Sequence, residues 1–120
     1  MATGVLTPGG MAVLEIELSG QLLPAVIDTG FEGGLQLPHS WYPRLQPPPY
    51  RQVTYQLGGG QILVQHTYLV TFALDGHTQT VETLFADSDE ILLGVDAMRE
   101  YRLVIDFPAN SVTLERPAVP

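Results

Sequence analysis

The chain has no cysteine. That excludes disulfides, thiolate catalysis and cysteine-based zinc sites, and it fits a cytoplasmic location. Basic residues are scarce: 5 Lys+Arg stand against 13 Asp+Glu, a formal net charge of −8. Nucleic acid and anionic membrane surfaces are not expected partners, because neither would meet a basic patch. No stretch approaches the ~20 apolar residues of a membrane span. Residues 1–10 hold neither a basic segment nor a long apolar core, so no signal peptide is expected. His39, His66 and His77 lack metal-ligand spacing. Asp87-x-Asp89 could begin a calcium loop, but the sixth position would be Leu92 and the twelfth Met98. No metal or cofactor is called for. Ser40 beside His39 has no strand–turn–helix elbow, which argues against a serine hydrolase. The glycines at 58–60 are followed by neither Lys-Ser/Thr nor a helix signal, so they are no phosphate cradle.

What is present is a folding composition. With 45% hydrophobic and 15% charged residues in a 120-residue chain, one domain with a real core is expected. Twelve glycines and ten prolines imply many turns and few long helices. Residues 1–10 read as a loose N-terminal arm, residues 11–115 as the domain and residues 116–120 as a tail. Along 11–18, Leu14, Ile16 and Leu18 alternate with Val13, Glu15 and Glu17, a half-exposed strand. Residues 22–27 form a buried strand in which Pro24 should cost a ladder bond or mark a bulge. Trp41 and Tyr42 lie in a possible helical turn, packing a core edge or lining a groove. Three successive prolines over 47–49 require an extended connector. Val53, Tyr55 and Leu57 alternate into Gly58-Gly59-Gly60, a glycine-tipped hairpin that could fold over a cleft or stand in solvent. Asp75-Gly76 is a two-residue hairpin turn. Ile91-Leu92-Leu93 is a short buried run ending at Gly94, and Asp96 is placed to cap a short helix over 97–101. Strands over 103–107 and 112–115 close the chain. Many short strands separated by turns predict an all-β fold, a closed or nearly closed barrel with one short helix near the C-terminus.

The most informative stretch is Ala25-Val26-Ile27-Asp28-Thr29-Gly30. An apolar strand delivers a lone carboxylate, a hydroxyl and a glycine to a loop. A carboxylate there must be hydrogen-bonded, paired or partly protonated. Two such groups held close share a proton, so that one activates water and the other donates to a carbonyl. The plainer alternative is an Asx-type turn in which Asp28 accepts from its own downstream backbone. Only one Asp-Thr/Ser-Gly triplet exists here, so a two-carboxylate site needs a second copy. Asp96 and Asp106 are the in-chain alternatives.

Three motifs in this order, Ile27-Asp28-Thr29-Gly30-Phe31, the glycine-tipped hairpin, and Leu92-Leu93-Gly94-Val95-Asp96 before residues 103–107, resemble the retropepsin family. More narrowly, the chain is similar to the short single-domain bacterial and archaeal relatives of retroviral proteases (clan AA). The resemblance implies a homodimeric aspartic endopeptidase acting on polypeptide. It implies Asp28 as the catalytic acid/base, Thr29 as a brace across the dimer axis, and Gly30 against substrate backbone. It also implies Leu92, Leu93 and Gly94 as supports of the catalytic loop. Tyr55, Leu57, Gly58, Gly59 and Gly60 would be the flap, with Phe31 in the groove. Two residues depart from the viral pattern: Phe31 is large where a small residue stands, and Val95 replaces a dimer-bonding Arg. The dimer must then be held differently, with residues 112–114 available for pairing across the interface. Those departures also motivate an alternative, a catalytically silent peptide-binding or dimerisation module.

Overall fold

The computed structural model describes residues 1–118. The Tyr55 side chain and tail residues 119 and 120 lie outside the described residues. The elements are β1 (Ala2–Leu6), β2 (Ala12–Leu18), β3 (Gln21–Ile27), β4 (Leu35–Pro38), and a 3₁₀ turn (His39–Trp41) leading into α1 (Tyr42–Leu45). They continue with β5 (Pro49–Gln56), β6 (Ile62–Leu74), β7 (His77–Ala86), β8 (Ile91–Leu93), α2 (Val95–Met98), β9 (Arg102–Asp106) and β10 (Ser111–Glu115). The fold is mostly β with few helices. One sheet runs β5-β6-β7-β4-β8-β3-β2-β1-β10-β9, and a Glu17–Ala73 bridge additionally joins β2 to β6.

The alternation in β2 is realised as burial. Leu14, Ile16 and Leu18 are in the core, while Glu15 and Glu17 face solvent. Each such leucine or isoleucine contributes about 1.5–3 kcal/mol on leaving water. Leu35 and Leu37 of β4, Leu93 of β8, and Val112 and Leu114 of β10 join the same cluster. Trp41 is buried there too, with the Arg44 guanidinium 4.0 Å above its ring. Tyr42 instead stacks edge-on with Tyr68 and Phe85 at 5.2–5.3 Å, seating α1 on the sheet. Burial pushes the Tyr68 phenol above its ordinary pKa, with a further push from Tyr42 beside it. Pro24 sits on β3 opposite Glu15, one residue before the pairing with β8 starts at Ala25.

Three expectations are corrected. The loose arm over residues 1–10 contains β1, which pairs antiparallel with both β10 and β2. Its Gly4 permits this, because a Cβ there would overlap the Val13 carbonyl oxygen. Residues 112–114, available on sequence grounds for pairing with another copy, are taken by β1 and β9 of their own chain. Asp96 does not cap a helix over 97–101. The helix is Val95–Met98, its N-cap is Gly94 without a side-chain bond, and Asp96 pairs with Arg99 at 3.0 Å. The helical turn expected around Trp41 and Tyr42 is present as the 3₁₀ turn and α1, and the proline connector enters β5 directly at Pro49. Among the described residues, no helix is long and apolar enough to cross a membrane.

Candidate active site

The site is built where β8 slots between two strands that are consecutive in sequence. β8 pairs parallel with β3 (Ala25–Ile91, Ile27–Leu93) and antiparallel with β4 (Leu35–Leu93). The connection from β3 to β4, residues 28–34, must therefore pass over the end of β8. Four backbone hydrogen bonds hold it there. Asp28 N–H donates to the Leu93 carbonyl at 3.0 Å, and Gly94 N–H to the Gly34 carbonyl at 2.9 Å. Val95 N–H donates to the Phe31 carbonyl at 2.9 Å, and Asp96 N–H to the Gly33 carbonyl at 3.1 Å. The first amides of α2, which have no partner inside the helix, are thus satisfied by the loop. That is why no side-chain cap is needed.

Gly94 is the tightest point of the crossing. It is buried, and a Cβ would overlap the Gly33 carbonyl oxygen and approach the Phe31 ring at 2.7 Å. The Phe31 ring also lies against Gly33, so one large side chain covers both glycines. Leu93 beneath them is fully buried, and Leu92 is half-buried.

Asp28 emerges half-buried at the head of this loop, with Thr29 and Gly30 exposed. Its Oδ1 accepts the Gly30 N–H at 3.0 Å, and its carbonyl accepts the Phe31 N–H at 3.2 Å. The Asx-type contact expected as the plainer alternative is therefore present. Both in-chain alternatives are bonded elsewhere. Asp96 Oδ1 accepts from Arg99, and Asp106 Oδ1 accepts the Ala109 N–H at 3.0 Å.

The hairpin forms from β5 and β6, paired from Thr54–Val64 to Gln56–Ile62. Its tip closes through Leu57 N–H to the Gln61 carbonyl at 2.7 Å, with Gly59 and Gly60 at positive φ. Leu57 and Gly58 to Gly60 are exposed, and the Tyr55 side chain lies outside the described residues. It is the stem, not the tip, that meets the Asp28 loop. A cleft of about 410 Å³ has Phe31 and Glu32 on one wall and Arg51, Val53 and Glu82 on the other. Sequence reasoning missed this wall. Arg51 Nε and Nη2 donate to the two Glu82 carboxylate oxygens at 2.6 and 2.9 Å, and the buried Thr67 hydroxyl donates to Oε2 at 2.8 Å. The Arg51 bond holds the Glu82 pKa below the usual carboxylate range, against partial burial. The two residues are 31 apart, so only the β5–β6–β7 pairing brings them together.

The chain shares the fold of solved retropepsin-like aspartic proteases. No family model and no curated protein matches the chain. Among solved structures, a retropepsin-like aspartic protease from Rickettsia conorii superposes with a TM-score of 0.71. It is 15% identical, over 93% of this chain and 87% of that one. The simian foamy virus (mac) protease gives a TM-score of 0.61 at 25% identity, over 72% of this chain and 91% of that one. A foamy viral protease–reverse transcriptase in complex with an RNA/DNA hybrid gives 0.61 at 16% identity, over 88% of this chain and 14% of that one.

Proposed function

We propose that the chain is an aspartic endopeptidase that hydrolyses peptide bonds as a homodimer, each copy giving one Asp28 carboxylate. The observation that carries the reading is the placement of Asp28 on a loop pinned by four backbone bonds over β8 and α2. The shared fold supports it. In this reading the Glu17–Ala73 bridge closes a barrel around β6-β7-β4-β8-β3-β2. The domain spans Ala2 to Glu115, because β1 is part of the sheet.

Two like charges at close range do not both ionise, so the pair holds one proton. The ionised carboxylate takes a proton from water as the water oxygen bonds to the scissile carbonyl carbon. The protonated carboxyl gives its proton to the carbonyl oxygen. The gem-diol collapses when the C–N bond breaks. The amine leaves with the proton that the first carboxyl had taken, and a diol hydroxyl returns one to the second. Thr29 braces the two loops, Gly30 meets substrate backbone, and Leu92, Leu93 and Gly94 hold the loop in place. The hairpin, Tyr55 and Leu57 to Gly60, closes over the substrate and excludes water. Phe31 shapes the groove.

The test is cleavage of an unstructured polypeptide by the wild type and by Asp28→Asn and Asp28→Ala. Loss of about a hundredfold or more is expected from either variant, with activity favoured at mildly acidic pH. Cleavage that persists in a purified, folded Asp28→Ala chain ends the reading. A wild type that binds peptide without cutting it leaves the silent binding module.

A further inference from the structure

The two outer edges of the sheet, β5 and β9, are both blunted against another strand. β5 begins at Pro49 and shifts register between Pro49 and Arg51. β9 exposes the charges of Arg102 and Asp106. Such devices keep unpaired N–H and C=O groups from recruiting stray strands. A third edge lies inside the sheet. β7 pairs with β6 over residues 77–83, but with β4 only over residues 83–86. Residues 77–81 therefore have a strand on one side alone.

The phase of the ladder decides which groups are open. The two-residue turn at Asp75-Gly76 closes on Leu74 and His77, which exchange both backbone bonds in such a hairpin. Every second residue along an antiparallel ladder does the same. Residues 77, 79 and 81 thus commit their backbone groups to β6, while Thr78, Thr80 and Glu82 turn theirs to the other side. The Glu82 carbonyl agrees with this phase, since it accepts the Gly34 N–H at 3.0 Å. At Thr78 and Thr80 no group among the described residues takes up the outward N–H or C=O. This stretch has neither proline nor bulge, and both threonines are exposed and uncharged. α2 faces it, and the Gln79 amide donates to the Ala97 carbonyl at 3.0 Å. Between them runs a groove of about 360 Å³, with residues 77–81 on one wall and Ala97, Arg99 and Tyr101 on the other. Residues 77–81 span about 16 Å of strand, enough to pair with a short added strand. The groove is continuous with the cleft beside the Asp28 loop, because Asp96 and Arg99, ion-paired at 3.0 Å, line both. Thr78, Thr80, Glu82 and Leu84 alternate onto one face of β7, so the open edge and the cleft wall share that face.

We infer that the groove between β7 and α2 binds a flanking segment of the polypeptide substrate, as an extended strand added to β7. The scissile residues lie in the cleft at Asp28, and the substrate chain continues past the Asp96–Arg99 pair into the groove. There its main chain exchanges bonds with Thr78 and Thr80, as peptides do when they add a strand to an open edge. Main-chain bonds require no particular side chain. The groove therefore selects for an extended, unstructured segment of sufficient length, and not for a sequence. Continuity with the cleft is what makes the substrate the occupant. The inference rests on the peptidase reading above and adds a distal binding site to it.

The test compares peptides of about six and about fourteen residues around one cleavage site of an unstructured polypeptide, the longer reaching across the groove at about 3.3 Å per residue. The wild type should cleave the longer peptide with a KM about tenfold lower. Thr78→Pro removes an outward donor, and a proline is tolerated where the N–H faces away from the ladder. It should raise KM for the longer peptide about tenfold and leave cleavage of the shorter one unchanged, which also reports that the variant folds. A second measurement leaves the groove unaltered. In an Asp28→Asn chain, the Thr78 and Thr80 amides should exchange their hydrogens about tenfold or more slowly with the unstructured polypeptide bound. The shorter peptide should leave them fast. Amides that stay fast while the polypeptide is saturating overturn the inference. If Asp28-dependent cleavage by the wild type persists in that case, the peptidase reading stands without it. Protection of both amides by a polypeptide that the wild type never cleaves keeps the groove and removes the peptidase reading. Protection that grows with protein concentration in the absence of peptide puts a second copy in the groove, and overturns the inference.

Discussion

Gly94→Ala adds one methyl group at the point where two backbone segments cross. The φ and ψ of Gly94, −94° and 176°, suit any residue, so the cost is steric and not conformational. The new Cβ would overlap the Gly33 carbonyl oxygen, with Phe31 Cδ2 at 2.7 Å and the Gly33 carbonyl carbon at 2.9 Å. Phe31 is a side chain and can swing away, but Gly33 is backbone and moves only with its loop. Lifting residues 31–34 weakens the bonds from Gly94, Val95 and Asp96 to that loop. Each is worth about 0.5–1.5 kcal/mol net, and an overpacked methyl costs about 1–3 kcal/mol. The structure relieves the clash by the cheaper combination, giving a destabilisation of about 2–4 kcal/mol.

That is a large share of the total stability, about 6–18 kcal/mol for a chain this long. Gly94→Ala should lower the urea midpoint by about 1–3 M, and Tm by roughly 8–16 °C. Gly58→Ala is the control, since nothing lies within 4 Å of its Cβ position and its φ is not positive. It should be neutral or stabilising by up to about 1 kcal/mol through the unfolded chain. A Gly94→Ala chain within about 0.5 kcal/mol of wild type would refute the claim that the crossing is close-packed.

Leu93→Ala removes a fully buried side chain under the same loop, and should cost about 2–5 kcal/mol in urea unfolding. Glu82→Gln should cost about 1 kcal/mol at neutral pH, a modest figure because the Arg51 partner is 60% exposed. Folding lowers the Glu82 pKa, so its contribution is complete above the unfolded value of about 4.3 and is lost as pH falls through the folded one. Unfolding curves of wild type and Glu82→Gln should therefore converge at low pH, and a constant gap down to pH 2 would contradict the pairing. Ile62→Ser, on a side chain 67% exposed at the hairpin tip, should leave stability within about 0.5 kcal/mol. It should nonetheless raise KM for peptide cleavage.

Where a local pattern sufficed, the sequence was enough to read the structure. The β2 alternation, the strand ending at Asp28 and the hairpin at Asp75-Gly76 each depend on neighbours within a few positions. At that turn the chain adopts the positive φ values such a pair favours, 53° and 76°. Long-range pairing was not legible. Ala-Thr-Gly-Val-Leu in β1 has no alternation and a glycine at its centre, and it becomes a strand only because β2 and β10 flank it. Asp96 has the composition of a helix cap, but the loop carbonyls had already claimed the amides a cap would serve. The Arg51–Glu82 wall joins strands that no spacing rule connects.

Two features that look separate in the sequence belong to one arrangement. Val95 stands where the viral pattern has a dimer-bonding Arg, and its backbone is committed to the Phe31 carbonyl. The chain ends are committed too, with β1 filling the slot between β2 and β10 of its own chain. Neither a guanidinium at position 95 nor a free β1 is left to reach a second copy. What α2 does hold is the Asp28 loop, through the amides of Val95 and Asp96 and, just before them, Gly94. Gly94→Ala should therefore lose cleavage together with stability, because the methyl group lifts the loop that carries the carboxylate. Wild-type cleavage by a Gly94→Ala chain that is destabilised as expected would mean that loop placement is not what Gly94 protects.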